Sequence, residues 1–105
     1  MKKAEEIKND INWEAKGNKQ LVRAILTLKN AGEVGRFLRD LMTKKEIEEF
    51  ARRLEAARLL SQDVQYNAII ESTGLSSTTV ARMAKWLKGP LGGYRLVLNR
   101  LGKNY

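Results

Sequence analysis

At 105 residues and 12.0 kDa the chain has room for one domain with a modest core, and 43% apolar residues suit a folded globule rather than a disordered tail. It has no cysteine and no histidine, which excludes disulfides and thiol chemistry and removes the commonest general base and transition-metal ligand. With 20 Lys and Arg against 12 Asp and Glu, its formal charge of +8 and pI near 10.0 point to a polyanionic partner.

Residues 1–17 mix charges with Ile7, Ile11 and Trp13 and read as an arm, either weakly helical or unordered, punctuated by Gly17-Asn18. Met-Lys-Lys leads into acids rather than an apolar stretch, so no signal peptide is read there, and no later run approaches the ~20 apolar residues of a membrane span. A cytoplasmic protein is expected.

Lys19–Lys29 predicts a helix whose Leu21, Val22, Ala24, Ile25, Leu26 and Leu28 cover about half the circumference or more. That is wider than packing on one core needs, so a second subunit is expected to cover the remainder. Asn30-Ala31-Gly32 breaks this helix. Glu33–Met42 then places Val34, Phe37, Leu38 and Leu41 on one stripe, with Arg36, Arg39 and Asp40 outside. Thr43-Lys44-Lys45-Glu46 has the capping-box pattern. The helix it opens is expected to run to Leu60 as the spine, with Ile47, Phe50, Ala51, Leu54, Ala57 and Leu60 inward.

Ser61-Gln62-Asp63 links the spine to residues 65–88, Q-Y-N-A-I-I-E-S-T-G-L-S-S-T-T-V-A-R-M-A-K-W-L-K. Tyr66, Ile69, Ile70 and Thr73 mark one short helical stripe. Gly74 suits the left-handed conformation that ends a helix. Ser76 is a good N-cap for a second helix with Val80, Met83, Ala84 and Leu87 inward. A short helix, a glycine corner and a second helix make a helix-turn-helix. Lys88-Gly89-Pro90-Leu91-Gly92-Gly93 is a breaker cluster, read as a helix stop and not as a phosphate loop. A last helix, Tyr94–Leu101, carries Tyr94, Val97, Leu98 and Leu101 on one side. From Ser72 to Tyr105 there is no acid, while Arg82, Lys85, Lys88, Arg95, Arg100 and Lys103 all lie there. A field of one sign beside a helix-turn-helix points to nucleic acid.

Three blocks carry a family resemblance: V-G-R-F-L-R-D-L-M-T-K-K-E-I-E-E-F-A-R-R, S-T-G-L-S-S-T-T-V-A-R-M-A-K-W-L-K and G-G-Y-R-L-V-L-N-R-L. In this order, from about Gln20 to Leu101, they resemble the Trp-repressor superfamily, and within it the Trp-repressor-related YerC/YecD-type branch. The resemblance implies an all-α, six-helix subunit, an intertwined homodimer and transcriptional repression by operator binding. It places the domain at residues 18–105, with the dimer core at 18–60 and 94–102 and the helix-turn-helix at 65–88.

With Val80 inward, Thr78, Arg82 and Lys85 point roughly 140–200° away and Ala81 lies at the edge. That outer face is the one a recognition helix lays in the major groove, with Ser76, Ser77 and Thr78 nearest the base edges. Thr78 or Ala81 suits a thymine methyl, while Arg82 and Lys85 suit phosphates or a guanine. Lys88 and the open N–H groups at the helix start would add backbone contacts. The expected partner is a double-stranded, palindromic operator, with no membrane and no metal. Two departures from the branch stand out. Ile70 occupies a position usually filled by a small Ala, so the two helices are expected to cross slightly wider, and Asn67 stands where Arg is usual, so a phosphate or base contact of that Arg is expected to be missing.

In the Trp repressor, L-tryptophan acts as co-repressor and wedges the reading heads apart. By resemblance Thr43, Arg53, Thr79 and Arg82 match its ligand-contacting residue types. Met83, however, stands where ligand-binding members have Gly, and Trp86 where they have Ser. Both are expected to fill the pocket, leaving no need for tryptophan or any other cofactor. Two other readings are weighed against this one. A repressor gated by tryptophan or another metabolite has the two arginines in its favour. A σ-factor-like protein-docking or RNA-binding adaptor shares the L-M-T-x-x-E and T-G-L-S-x-T-T-V patterns, but the wide N-terminal helix and G-G-Y-R-L-V-L speak against it. An enzyme is not expected, because no paired acids or nucleophile–base set is present.

Overall fold

Six α-helices and no strand make up residues 11–102, the part of the chain that the computed structural model describes. They are α1 (Lys16–Leu26), α2 (Ala31–Leu41), α3 (Lys44–Ser61), α4 (Tyr66–Thr73), α5 (Ser77–Leu87) and α6 (Gly93–Gly102). Most of the expected N-terminal arm, including Ile7, lies outside the described residues, as does Lys103. The chain divides into two compact units, residues 1–43 and 44–105.

In the first unit, α1 begins three residues before the periodicity suggested, so Gly17-Asn18 sits inside its first turn rather than breaking the chain. Asn12 is the reason. Its side chain accepts the Glu14 N–H at 3.0 Å, and its carbonyl accepts from the Ala15 N–H and the Asn18 side-chain amide, both at 3.0 Å. The helix also stops earlier, at Leu26. Thr27 turns its hydroxyl onto the Ala24 carbonyl at 2.6 Å, and the Thr27 and Leu28 N–H groups close tight turns on Ala24 and Ile25.

Asn30-Ala31-Gly32-Glu33 then starts a helix rather than only ending one. The Asn30 side chain accepts the Glu33 N–H at 3.0 Å, and the Glu33 carboxylate accepts the Lys29 N–H at 2.9 Å. Neither α1 nor α2 buries a residue. Leu21, Val22, Ile25, Val34 and Leu41 are exposed, and Leu26 is 77% exposed.

In the second unit the core lies where α4, α5 and α6 pack on the C-terminal half of α3. Ala56 and Ala57 are wholly buried, and their small side chains let neighbouring helices come close. Ala56 joins Ile69, Leu75, Val80 and Met83, while Ala57 joins Leu87 and Leu98.

Phe50 and Ala51, expected inward, are exposed. Phe50 lies on the Ala57 stripe, two turns short of the covered end. Its ring lies instead under the Arg53 guanidinium, 5.5 Å from the centroid. Val97 is also exposed where the stripe placed it inside, and Leu98 alone on α6 is buried.

The α3–α4 link is a Schellman-type stop. Asp63 takes a positive φ of 62°, the Val64 N–H returns to the Leu59 carbonyl and the Asp63 N–H to that of Leu60. Val64 is thereby turned back onto the core. On the outer surface of α3, hydrogen bonding by Arg58 holds the Glu55 carboxyl below its ordinary value of 4.5, against a smaller cost of burial.

Candidate nucleic-acid interface

The corner between α4 and α5 is fixed by short side chains. Buried Thr73, read in the sequence as part of an apolar stripe, is a clamp: its hydroxyl donates to the Ile69 carbonyl at 2.7 Å and accepts the Leu75 N–H at 3.2 Å. Gly74 has φ 76°, the conformation that a Cβ would strain, and Leu75 tucks into the core at 5% exposure. Ser76 accepts the Thr79 N–H at 3.1 Å and donates its own proton to the Thr79 hydroxyl at 2.9 Å. This is the expected N-cap.

The inner stripe of α5 matches the sequence residue for residue, since Val80, Met83, Ala84 and Leu87 are all buried. Burying that face presents the other. Ser76, Ser77, Thr78, Ala81, Arg82, Lys85 and Lys88 are exposed, and so is Asn67 on α4; Thr79 is half-buried. Arg82, Lys85 and Lys88 make no ion pair among the described residues, and no acid follows Glu71 to oppose them. The N–H groups of Ser77 and Thr78, in the first turn, have no acceptor within the helix. Ile70 is half-buried and packs on the core.

At the other end of α5, sequence reading missed Arg95. It counted this side chain among the cations of the open field, but its guanidinium donates to the Leu87 carbonyl and, at 2.8 Å, to that of Gly89. Gly92, with φ 73°, leaves room beside it, since a Cβ there would stand 3.0 Å from the guanidinium. An arginine shortly after a Gly-Gly pair was the available signal.

The family model described as Trp repressor protein matches residues 16–102. The chain belongs to the Trp repressor family. The protein YerC of Bacillus subtilis (strain 168) is 39% identical over 82 residues, 78% of this chain and 79% of YerC. A TrpR-like protein from Eubacterium eligens ATCC 27750, whose crystal structure is known, superposes with a TM-score of 0.80 at 36% identity, over 86% of this chain and 93% of that one. Both place the chain in the Trp-repressor-related YerC branch, and the all-α fold read from the resemblance is the fold observed.

Of the four residues that the resemblance matches to ligand-contacting types, Arg53 and Thr79 are engaged with neighbours. Arg53 donates to the Glu49 carboxylate at 3.2 Å and caps the Phe50 ring, while Thr79 is bonded to Ser76. Thr43 immediately precedes α3, and Arg82 is exposed to solvent. No hydrogen bond joins Arg53, Thr79 and Arg82 to one another. Met83 is 4% exposed, and Trp86 packs on the cluster of Ala56, Ile69 and Val80.

Tyr94 closes this region by donating its hydroxyl proton to the Met83 sulfur at 3.2 Å. Burial pushes the Tyr94 phenol above its ordinary value of 10.0, with the positive charge of Arg53 pulling weakly the other way. A phenol raised in the folded state adds stability that is whole below the unfolded value and is lost as pH climbs through the folded one. Urea unfolding midpoints should therefore decline above about pH 10, and Tyr94→Phe should show a shallower decline. Parallel declines in the two proteins would show that the alkaline loss comes from elsewhere.

Proposed function

We propose that the chain is a sequence-specific DNA-binding transcriptional regulator, a repressor that acts as an intertwined homodimer on a palindromic operator and does not depend on L-tryptophan. One observation carries this reading: α5 is capped at Ser76 and buried along one face, and it turns Arg82, Lys85 and Lys88, which have no ion pair among the described residues, outward in a stretch without acids. Membership of the Trp repressor family supports the same conclusion. Thr78 and Ala81 would meet base edges, Ser76 and Ser77 would hold the backbone near the helix start, and Asn67 on α4 would reach a neighbouring phosphate.

Dimerisation is supported by α1 and α2, whose apolar stripes have no buried residue in the single chain. Independence from tryptophan is supported by Met83 and Trp86, which stand where the resemblance has Gly and Ser in ligand-binding members and whose side chains pack into the core cluster. Admitting a free ligand would mean expelling an indole or overpacking the site. Such a regulator is a binding protein rather than an enzyme, and it acts in the cytoplasm.

Selection of bound fragments from random duplex DNA, run with and without L-tryptophan, tests the proposal. The same two-fold symmetric sequence should be enriched in both, and calorimetry should show no tryptophan uptake. Enrichment only with tryptophan would establish the gated repressor instead. A monomer in sedimentation that enriches no duplex would favour the docking adaptor.

A further inference from the structure

We infer that Arg95 is a positioning residue for α5: by holding the C-terminal end of that helix it sets how the outer face meets the base edges. This rests on the reading of α5 as the DNA-reading helix. The last carbonyls of a helix lack donors within it. Here the Lys88 N–H returns to Ala84 at 3.2 Å and the Gly89 N–H to Trp86 at 3.1 Å. Arg95 adds to these, donating to the carbonyls on both sides of Lys88, those of Leu87 and Gly89. These are charge-assisted bonds from a cation at the negative end of the helix dipole.

The turn between the helices is shaped for this reach. At Gly92 a Cβ would stand 3.0 Å from Arg95 Nη2 in a backbone with φ 73°. At Gly89 a Cβ would press on the Trp86 and Lys85 carbonyls at 3.3 and 3.4 Å. Arg95 itself is carried by a helix whose Leu98 is buried beside Ala57 and Leu87.

Helix α5 is thus pinned at both ends, by Ser76 at the start and by Arg95 at the finish. Without Arg95, the angle between α5 and α6 would depend on apolar contacts, which have little directionality, and on the single weak bond from Tyr94 to the Met83 sulfur. Thr78 lies about 13 Å along the axis from Leu87, so a tilt of about 5° at that end would move it by about 1 Å. That displacement is enough to spoil hydrogen bonds to bases. Long cationic side chains follow phosphates through it. Discrimination between sequences suffers, and general attraction to DNA does not.

The test compares wild type with Arg95→Met, which keeps the stem, with Arg95→Lys, which keeps the charge, and with Gly92→Ala, which crowds the guanidinium and strains the positive-φ turn without removing it. Binding is measured across a salt series to a duplex selected by the wild-type protein and to a scrambled duplex, at a temperature where circular dichroism shows each variant folded. Arg95→Met should lose about tenfold on the selected duplex and Gly92→Ala a smaller part of that, with the scrambled affinity and the salt slope unchanged, and Arg95→Lys should recover part of the loss. Undiminished discrimination in folded Arg95→Met and Gly92→Ala would overturn the inference and leave the arginine a cap for stability alone. A salt slope lowered by about 1 per subunit, with loss on both duplexes, would also overturn it by making Arg95 a phosphate contact. A wild-type protein that selects no duplex would instead fail the DNA-binding reading itself.

Discussion

Replacing Arg82 and Lys85 together by alanine is expected to weaken duplex binding roughly a hundredfold or more near physiological salt. The dependence of log K on log salt should flatten by ~1.8 per subunit, or ~3.6 for a two-fold dimer, because each neutralised phosphate releases counterion. The two side chains lie three residues apart on one face of α5, both exposed and both without an ionic partner among the described residues. In the free protein they are solvated and contribute almost nothing to folding, so the unfolding midpoint should stay within about 0.5 kcal/mol of wild type. Binding lost without stability lost is the signature of an interface rather than a core. Fluorescence anisotropy over a salt series reads both quantities, and an unchanged slope would remove these residues from the DNA face. A change of ~1.8 rather than ~3.6 would mean that one subunit binds alone.

The helix-turn-helix was legible because its determinants are local. Gly74, Ser76 and the stripe Val80–Met83–Ala84–Leu87 lie within a few residues of one another, and each favours the same geometry unaided. Thr73 was visible but misread, since periodicity shows which side a residue faces and not what its hydroxyl does there. Periodicity also says nothing of how far along a helix its neighbours extend. Phe50 therefore sits on the side the pattern gave it and yet reaches solvent, whereas Ala51 lies about 120° or more around the helix from Ala56 and Ala57.

Ala56 was overlooked because the stripe drawn through Phe50, Leu54 and Ala57 leaves it to one side, where it is wholly buried against Ile69 and Val80. The Asn12, Asn18 and Asn30 segments were ambiguous in kind. Amide side chains and glycines near a helix end serve equally as stops and as caps, and only the hydrogen bonds of Asn12 and Asn30 decide between them. Arg95 was hidden by its company, because a cation in a basic stretch looks like the others until the α5–α6 turn brings it onto two carbonyls.

Ile69→Ala is expected to destabilise the protein by about 3 kcal/mol, lowering the thermal midpoint by roughly 10–20 °C. Ile69 is 0% exposed and sits between Ala56 on α3 and Val80 on α5, both also wholly buried. Neither neighbour can swing into the space. Ala56 has no side chain beyond Cβ, and Val80 is stiff about χ1. The cavity should therefore stay largely open, which raises the cost of the truncation. It would also lie beside the Thr73 clamp, whose hydroxyl is anchored on the Ile69 carbonyl. Glu71→Ala, two residues on and exposed, is the control and should change stability by less than about 0.5 kcal/mol. Both are compared at one protein concentration, since folding linked to dimerisation makes the midpoint depend on it. Where Ile69→Ala remains folded, the outer face of α5 is untouched, and its salt slope should equal that of wild type. Equal stability of the two variants would show that the corner is not held by this cluster. A cavity variant that kept its midpoint but lost its salt slope would break the separation between the buried and the outward faces of α5.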